Sequence, residues 1–389
     1  MSYTNVRPNF RPNFSQGPRY RIKTFDPSVL VRNTASASNV PEILIEIKHK
    51  FADFNLFPKL MENILAKNYS IPTPIQDQVI PLLLEGNDLV GMANTGTGKT
   101  ASFLIPLINK VLLNRANKVL VLAPTRELAV QIEDEFREFA RQTGLRSALC
   151  IGGVSMGGQI RNLSFDPQFI IGTPGRIKDL GEQGRIPFAK INNVILDEVD
   201  RMLDMGFIHD MTAILARISP QRQSAFFSAT VPDSMQMIMQ RFLKNPIKIS
   251  AKTSNTVRNI KQEMVQTNGK AKIEVLHSLL IKEGFDKVLV FGRTKRGLER
   301  LAGDLEKRGF RVASIHGNKS QGARQKSLDM FKRNQVKILL ATDVASRGLD
   351  IDDITHVINF DLPESPEDYT HRIGRTGRAN KTGIALTLI

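Results

Sequence analysis

The stretch "NDLVGMANTGTGKTASFLIPLINKVLL", residues 87 to 113, sets a β-rich apolar run, a glycine-rich turn and a helix-compatible run in immediate succession. Within it "ANTGTGKT" (Ala93 to Thr100) has the spacing of a phosphate-binding loop, and the strand before it and the helix after it are the context such a loop requires. Gly96 and Gly98 let the backbone of Thr95, Gly96, Thr97 and Gly98 turn amides toward a β-phosphate. The helix N-terminus adds a favourable dipole, Lys99 a compact cation and Thr100 a hydroxyl for Mg2+. The stretch therefore predicts an α/β sheet with a nucleoside triphosphate at its edge.

Working outward, the same rhythm continues. Apolar runs "KVLVLAP" (118 to 124), "PQFIIGTP" (167 to 174), "NNVILDE" (192 to 198) and "QSAFFSAT" (223 to 230) alternate with helical stretches such as "RELAVQIEDEFREFARQTG". That alternation predicts a mostly parallel sheet with helices on both faces. A second series follows: "KVLVFGRT" (287 to 294), "FRVASIHG" (310 to 317), "VKILLATD" (336 to 343), "THVINFD" (355 to 361) and "GIALTLI" (383 to 389). Between the two lies "AKTSNTVRN" (251 to 259), polar and aperiodic, which reads as a linker. The expected organisation is a basic arm over 1–45, a first domain over 46–250, a linker over 251–259 and a second domain over 260–389.

Composition agrees with two globular domains and a polyanionic partner. The chain has 389 residues with 54 Lys plus Arg against 38 Asp plus Glu, a formal net charge of +16. Such an excess suits a nucleic acid or an anionic membrane surface, or is simply a soluble basic surface. No run approaches the roughly eighteen apolar residues of a membrane span, and the N-terminus lacks the apolar core of a secretory signal, so the expected location is the cytoplasm. Cys150 is the single cysteine; inside "ALCIGG" it reads as core filling. Clusters of Cys and His that would hold a metal are absent. The first forty residues carry a tandem "RPNFRPNF" (7 to 14) and a net charge of +5 from Arg7, Arg11, Arg19, Arg21, Lys23 and Arg32 against Asp26. This composition cannot bury a core and reads as disordered: an RNA tether, a solvated tail or an Arg-rich transit peptide.

A basic chain nevertheless concentrates carboxylates in "VILDEVDRM" (194 to 202), where Asp197, Glu198 and Asp200 follow an apolar run. In an open parallel sheet ligands bind beyond the carboxyl ends of the strands, and "DEVD", the phosphate loop and "SAT" (Ser228 to Thr230) all stand at such ends. Asp197 is accordingly expected to hold Mg2+, partly through water, and Glu198 to orient and deprotonate the attacking water. A solvated acidic turn is the other fate of such a cluster, but it does not account for three motifs ending at one sheet edge.

From Phe51 to the last residue the sequence resembles the DEAD-box ATP-dependent RNA helicases of superfamily 2. The resemblance rests on an ordered set: "NYSIPTPIQ" (68 to 76), "PTRELA" (124 to 129), "GG" (152 to 153), "TPGR" (173 to 176), "DEVD", "SAT", "VFGRT" (290 to 294), "QGAR" (321 to 324), "ATDVASRGLD" (341 to 350) and "HRIGRTGR" (371 to 378). It implies two tandem RecA-like domains. It also implies that Gln76 reads the adenine edge, Phe51 stacks on the base, Asp350 contacts the ribose, and Gly348 belongs to the nucleotide-binding set. Arg375 and Arg378 resemble arginine fingers reaching the γ-phosphate, with His371, Ser228 and Thr230 beside them in the catalytic set. For RNA, Pro124, Thr125, Arg126, Gly153, Thr173 and Arg176 would line one half of a groove and Arg293, Gln321, Arg324, Thr342 and Asp343 the other. Amides, hydroxyls and guanidinium groups suit phosphates and 2′-hydroxyls, so binding independent of base sequence is implied. The implied activity is RNA-stimulated ATP hydrolysis, with Mg2+, coupled to local strand separation by a monomer.

Departures from the pattern are Val199 for the usual Ala, Asn94 for Gln and Asn68 for Gly. The chain also stops at Ile389, where the family's second domain continues with a helix, so that domain is expected to be truncated or to leave a sheet face uncovered. Two other readings stand beside the leading one. A DNA helicase on the same core is opposed by the "NYSIPTPIQ" and "HRIGRTGR" motifs. An ATP-gated clamp without turnover is opposed by intact Lys99, Glu198, Arg375 and Arg378.

Overall fold

The computed structural model describes residues 47–93, 96–251, 259–346, 351, 353–377 and 381–389. The expected arm (1–45), Asn94, Thr95, linker residues 252–258, Gly348, Asp350 and Arg378 lie outside the described residues.

The first domain opens on a 3-10 turn (Phe51–Phe54) and then runs α1 (Pro58–Ala66), α2 (Pro74–Leu84), β1 (Leu89–Met92), α3 (Lys99–Leu113), β2 (Val119–Leu122), α4 (Arg126–Phe139), β3 (Ser147–Cys150), α5 (Met156–Leu163), β4 (Phe169–Gly172) and α6 (Pro174–Glu182). It continues through β5 (Asn193–Leu196), α7 (Val199–Asp204), α8 (Ile208–Arg217), β6 (Gln223–Ser228), α9 (Asp233–Phe242) and β7 (Ile247–Ser250). Its strands pair in parallel in the order β3-β4-β2-β5-β6-β1-β7. The second domain is β8 (Ile260–Val265), α10 (Lys272–Leu280), β9 (Val288–Phe291), α11 (Lys295–Lys307), β10 (Val312–Ile315), α12 (Gln321–Lys332), β11 (Ile338–Ala341), α13 (Asp343–Ser346), β12 (His356–Asn359), α14 (Pro366–Ile373) and β13 (Gly383–Leu388). It forms a second parallel sheet, β10-β11-β9-β12-β13-β8.

The central strands are apolar on both faces because both faces are covered. "VLVL" in β2, "FIIG" in β4 and "NVIL" in β5 are buried along their whole length, which is the pattern of a parallel strand sandwiched by helices. Separate apolar clusters lie on the two faces of each sheet. Each fully buried Leu, Ile, Val or Phe in them contributes about 1.5–3 kcal/mol relative to exposure. Val199 is fully buried in one cluster with Leu196 and Phe226, so its extra methyls pack behind the acidic turn. Asn68 sits at φ +59°, the left-handed region in which Asn is the best tolerated residue after Gly.

Helix starts follow directly from residues at strand ends. Thr73 and Gln76 form a capping box at the start of α2, with Pro74 in the first turn. The hydroxyls of Thr125, Thr294 and Ser320 accept N–H groups of Leu128, Gly297 and Ala323 and so begin α4, α11 and α12. The sequence motifs thus stand where strand gives way to helix.

Candidate active site and nucleic-acid interface

Strand order divides the carboxyl edge of the first sheet into two halves. Neighbouring β5, β6 and β1 end in Asp197–Glu198, Ser228–Thr230 and the phosphate loop, while neighbouring β3, β4 and β2 end in Gly152–Gly153, Thr173–Arg176 and Pro124–Arg126. The second sheet repeats the division. Neighbouring β10, β11 and β9 precede Gln321–Arg324, Thr342–Asp343 and Arg293, and β12 leads into α14 with His371.

In the phosphate loop, Gly96 (φ +78°) and Gly98 (φ +87°) take the left-handed backbone that only glycine adopts without cost, and Gly98 caps α3. Buried Lys99 donates from Nζ to Ala93 O at 2.9 Å. Thr100 is half-buried in the first turn of α3. Helix α2 braces the loop from behind: Thr73 Oγ1 donates to Thr97 O (2.8 Å) and Gln76 Nε2 to Gly98 O (3.1 Å), while Gln76 Oε1 accepts from Thr73 N (2.9 Å). A Cβ on Gly98 would stand 2.4 Å from Gln76 Nε2. Gln76 is therefore both next to the loop and part of its support, with one amide N–H and one carbonyl lone pair left over. Phe51, expected at the base, is 1% exposed and packs against Phe54 and Tyr69, with ring centroids 6.0 Å apart in each pair.

Beyond β5, Glu198 has φ +52°, ψ +54°, a strained conformation for a non-glycine residue that turns the chain sharply into α7. Its N–H donates to Asp197 Oδ1 at 3.0 Å, and its Oε2 is buried without a hydrogen-bond partner. Burial pushes the Asp197 carboxyl up to about 7, with Glu198 reinforcing and Lys99 opposing the shift. Asp200 faces the other way. Its Oδ2 accepts from Ala229 N, Thr230 N and Thr230 Oγ1 at 2.9–3.1 Å, and Ser228 Oγ accepts from Asp200 N (3.3 Å) and donates to Thr230 O (2.6 Å). These are the two hydroxyl residues expected in the catalytic set. Their hydroxyls bond to Asp200 and so join β6 to α7.

The second domain brings α14 to this edge. Burial pushes the His371 imidazole down to about 3, with Arg201 and Arg375 reinforcing and Asp200 and Asp368 opposing, so the ring lies in the field of first-domain charges and is neutral at pH 7. Its Nδ1 is buried without a partner among the described residues, and Arg375 is buried close by.

On the other half, Arg126 lies over the two glycines. A Cβ on Gly153 (φ +76°) would stand 2.1 Å from Arg126 Nη1, and one on Gly152 3.1 Å from Nη2. Thr173 and Thr125 cap α6 and α4, Pro124 is buried, and Arg176 Nη1 and Arg293 Nε are buried without hydrogen-bond partners among the described residues. Thr342 is buried at the end of β11. Asp343, expected in the groove, is held from within the second domain. Arg372 Nη2 donates to Asp343 Oδ2 at 2.7 Å, its Nε pairs with Oδ1, and its Nη1 reaches Asp361 O at 2.6 Å. The bidentate guanidinium ties Asp343 into the frame of the second domain.

Sequence reasoning also missed Glu127, the residue after Arg126. Gln321 Nε2 donates to Glu127 Oε1 at 3.1 Å, and Arg324 Nε lies 2.9 Å from the same oxygen as an ion pair without the alignment of a hydrogen bond. Gln321 and Arg324, expected in the groove, thus also tie the second domain to the first. Only their place within "PTRELA" and "QGAR" could have suggested it.

The fold and this split site define a class: a phosphate-loop nucleotide hydrolase assembled between two RecA-like domains. Residues 73–238 match the DEAD/DEAH box helicase model and residues 271–380 the helicase conserved C-terminal domain, and the chain belongs to the DEAD/DEAH box helicase family. It is 45% identical to the DEAD-box ATP-dependent RNA helicase CshA of Geobacillus kaustophilus, covering 87% of this chain and 73% of that protein. Identity to the CshA of Bacillus subtilis is 44%, with 87% and 69% covered. Among solved structures, S. cerevisiae Dbp5 bound to RNA and ADP BeF3 superposes with a TM-score of 0.78 at 28% identity, covering 88% of this chain and 90% of that one. Mss116p bound to ssRNA and AMP-PNP gives 0.80 at 25% identity, covering 90% and 76%.

Proposed function

We propose that this chain is an ATP-dependent RNA helicase that grips RNA by its backbone and couples ATP hydrolysis to local strand separation or RNP remodelling. The observation that carries the reading is the division of both sheets into a nucleotide half and a second half, each completed from the other domain. The reading adopts the boundaries 1–45 (basic arm), 46–250, 251–259 and 260–389, a monomer, and a cytoplasmic site of action. No helix among the described residues is long and apolar enough to cross a membrane.

In this mechanism Lys99 and the loop amides hold the phosphates, Gln76 offers its spare N–H and lone pair to the adenine edge, and Glu198 accepts the proton of the attacking water. Arg375 and Arg378 enter from the second domain to meet the γ-phosphate charge as the cleft closes. The residues fit Mg2+: a desolvated carboxylate (Asp197), a hydroxyl (Thr100) and substrate phosphates are the oxygen set it takes, and among the described residues no cluster of three or more His, Cys, Asp or Glu would hold a metal by itself. When bound, the cation neutralises charge developing on the phosphates. On the second half, Arg126, Arg176 and Arg293 take phosphate oxygens, and Thr125, Thr173 and Thr342 the ribose-phosphate edge. The basic arm adds a salt-sensitive tether.

The test is ATPase activity without nucleic acid, with RNA and with DNA of the same length, beside strand separation on matched RNA and DNA duplexes. Stimulation by RNA alone is expected; equal unwinding of DNA would overturn the substrate reading. On nucleotide choice, a Gln amide matched to adenine leaves polar groups unpaired against guanine, so Gln76→Ala should lose much of a preference for ATP over GTP that wild type shows. Wild-type turnover of GTP equal to that of ATP would end the assignment. For the groove, Gly153→Ala must displace Arg126 and strain the backbone by roughly 1 kcal/mol. RNA affinity, followed by fluorescence anisotropy, should fall about ten- to a hundredfold with ATP affinity unchanged, since losing one charge-assisted contact is worth about 1.5–3 kcal/mol. Unaltered RNA binding would show that the glycines do not seat Arg126.

A further inference from the structure

Asp77 follows Gln76 on α2, and its carboxylate reaches back to the point where the chain enters the fold. It is 4% exposed. Oδ2 accepts the Lys48 N–H at 3.1 Å, and Oδ1 accepts both the His49 N–H and His49 Nδ1 at 2.9 Å. The next residue, Lys50, donates its N–H to Asp53 Oδ2 at 2.7 Å and so closes the 3-10 turn that carries Phe51. The far end of the segment is held too, where Phe57 N donates to Asn109 Oδ1 (2.7 Å) on α3.

The entering segment is therefore fastened to two helices, and both hold the phosphate loop. Helix α2 does so through Thr73 and Gln76, and α3 by beginning at Lys99. Gln76 and Asp77 are consecutive, so one turn of α2 grips the loop with one side chain and residues 48 and 49 with the next. The ring of His49 extends the grip to the aromatic cluster, 5.4 Å from Phe54, which in turn packs on Phe51. A carboxylate accepting backbone N–H groups is among the strong and directional hydrogen-bonding arrangements available. Neither Lys48 nor His49 belongs to any motif in the sequence, and Asp77 lies just past one.

We propose that Asp77 is a positioning residue for the nucleotide end of the first domain: by clamping residues 48 and 49 onto α2 it fixes the 3-10 turn against Gln76 and the phosphate loop, and thereby sets nucleotide affinity and base selectivity without entering the chemical step. The selectivity part rests on the reading that Gln76 meets the adenine edge. A loss of about 1–2 kcal/mol in the positioning of the turn corresponds to a factor of about five to thirty.

The experiment uses the full chain at saturating RNA and compares Asp77→Ala, Asp77→Asn, His49→Ala and Gln76→Ala for KM and kcat with ATP and with GTP, alongside thermal melting. Asp77→Ala should raise KM for ATP by about five- to thirtyfold and narrow the ATP-to-GTP ratio, with kcat at saturating ATP within about twofold of wild type. His49→Ala removes one of the bonds and should move KM the same way by less. Asp77→Asn keeps an acceptor for His49 but turns an amide toward the Lys48 N–H, and supplies the comparison if the alanine variant fails to fold. An Asp77 variant that folds with unchanged KM and unchanged ATP-to-GTP ratio overturns the clamp, as does one that lowers only kcat or melting temperature. If Gln76→Ala leaves nucleotide choice untouched, the adenine reading fails by itself, and the KM measurement alone then decides the clamp.

Discussion

Glu198→Gln should leave ATP and RNA affinity close to wild type and lower the rate of hydrolysis by a factor on the order of 10²–10⁴, the span that positioned general bases contribute. The substitution keeps size and most hydrogen bonding and removes only the basic lone pair. It also keeps the left-handed turn at φ +52°, which belongs to the backbone between β5 and α7. The buried Oε2 makes no hydrogen bond among the described residues, so none there is broken when it becomes an amide. Single-turnover hydrolysis at saturating RNA, beside nucleotide binding measured separately, checks this. A variant with wild-type turnover would remove Glu198 from the reaction, and one that no longer binds ATP would make it a structural residue.

Glu127→Gln is expected to act on the closed arrangement of the domains. Burial holds the Arg324 guanidinium below its ordinary range, with Glu127 opposing that shift and Arg126 reinforcing it. Withdrawing the Glu127 charge leaves a desolvated cation uncompensated, a loss of about 3–5 kcal/mol in buried pairs. The contact joins one domain to the other, so the loss is expected to fall on how the domains are held together and not on the folding of either sheet. RNA-stimulated turnover should drop by about 10²-fold or more, since 1.4 kcal/mol is about a factor of ten, while thermal melting of the chain changes little. Full RNA stimulation in this variant would mean that the pair does not hold the cleft shut. A large fall in melting temperature with stimulation preserved would make Glu127 a stabilising residue of the first domain.

The parts of the fold that could be read from sequence are those where burial leaves no choice. Central strands such as "VLVL" and "NVIL" are covered on both faces and must be continuously apolar. Strands β3, β7 and β8 were not visible because each is only partly buried and its composition dilutes the apolar run. They lie at sheet edges, where one neighbour is missing and polar side chains reach water.

The same distinction applies to the site. Phosphate-loop glycines, Lys99, Thr100 and the pair Asp197–Glu198 are local chemistry: loop, cation, hydroxyl and carboxylates work by being near a strand end, and their order along the chain states that much. Sequence by itself therefore determined two α/β domains and the strand ends at which a phosphate loop, a lysine and paired carboxylates gather. Only the tertiary structure decided which residue answers which. It gave Asp200 to Ser228 and Thr230, Asp343 to Arg372, Glu127 to Gln321 and Arg324, and Asp77 to residues 48 and 49. A carboxylate's role depends on which donors burial brings to it, and those donors come from distant parts of the chain that only the packing of sheet, helix and domain places within 3 Å or so.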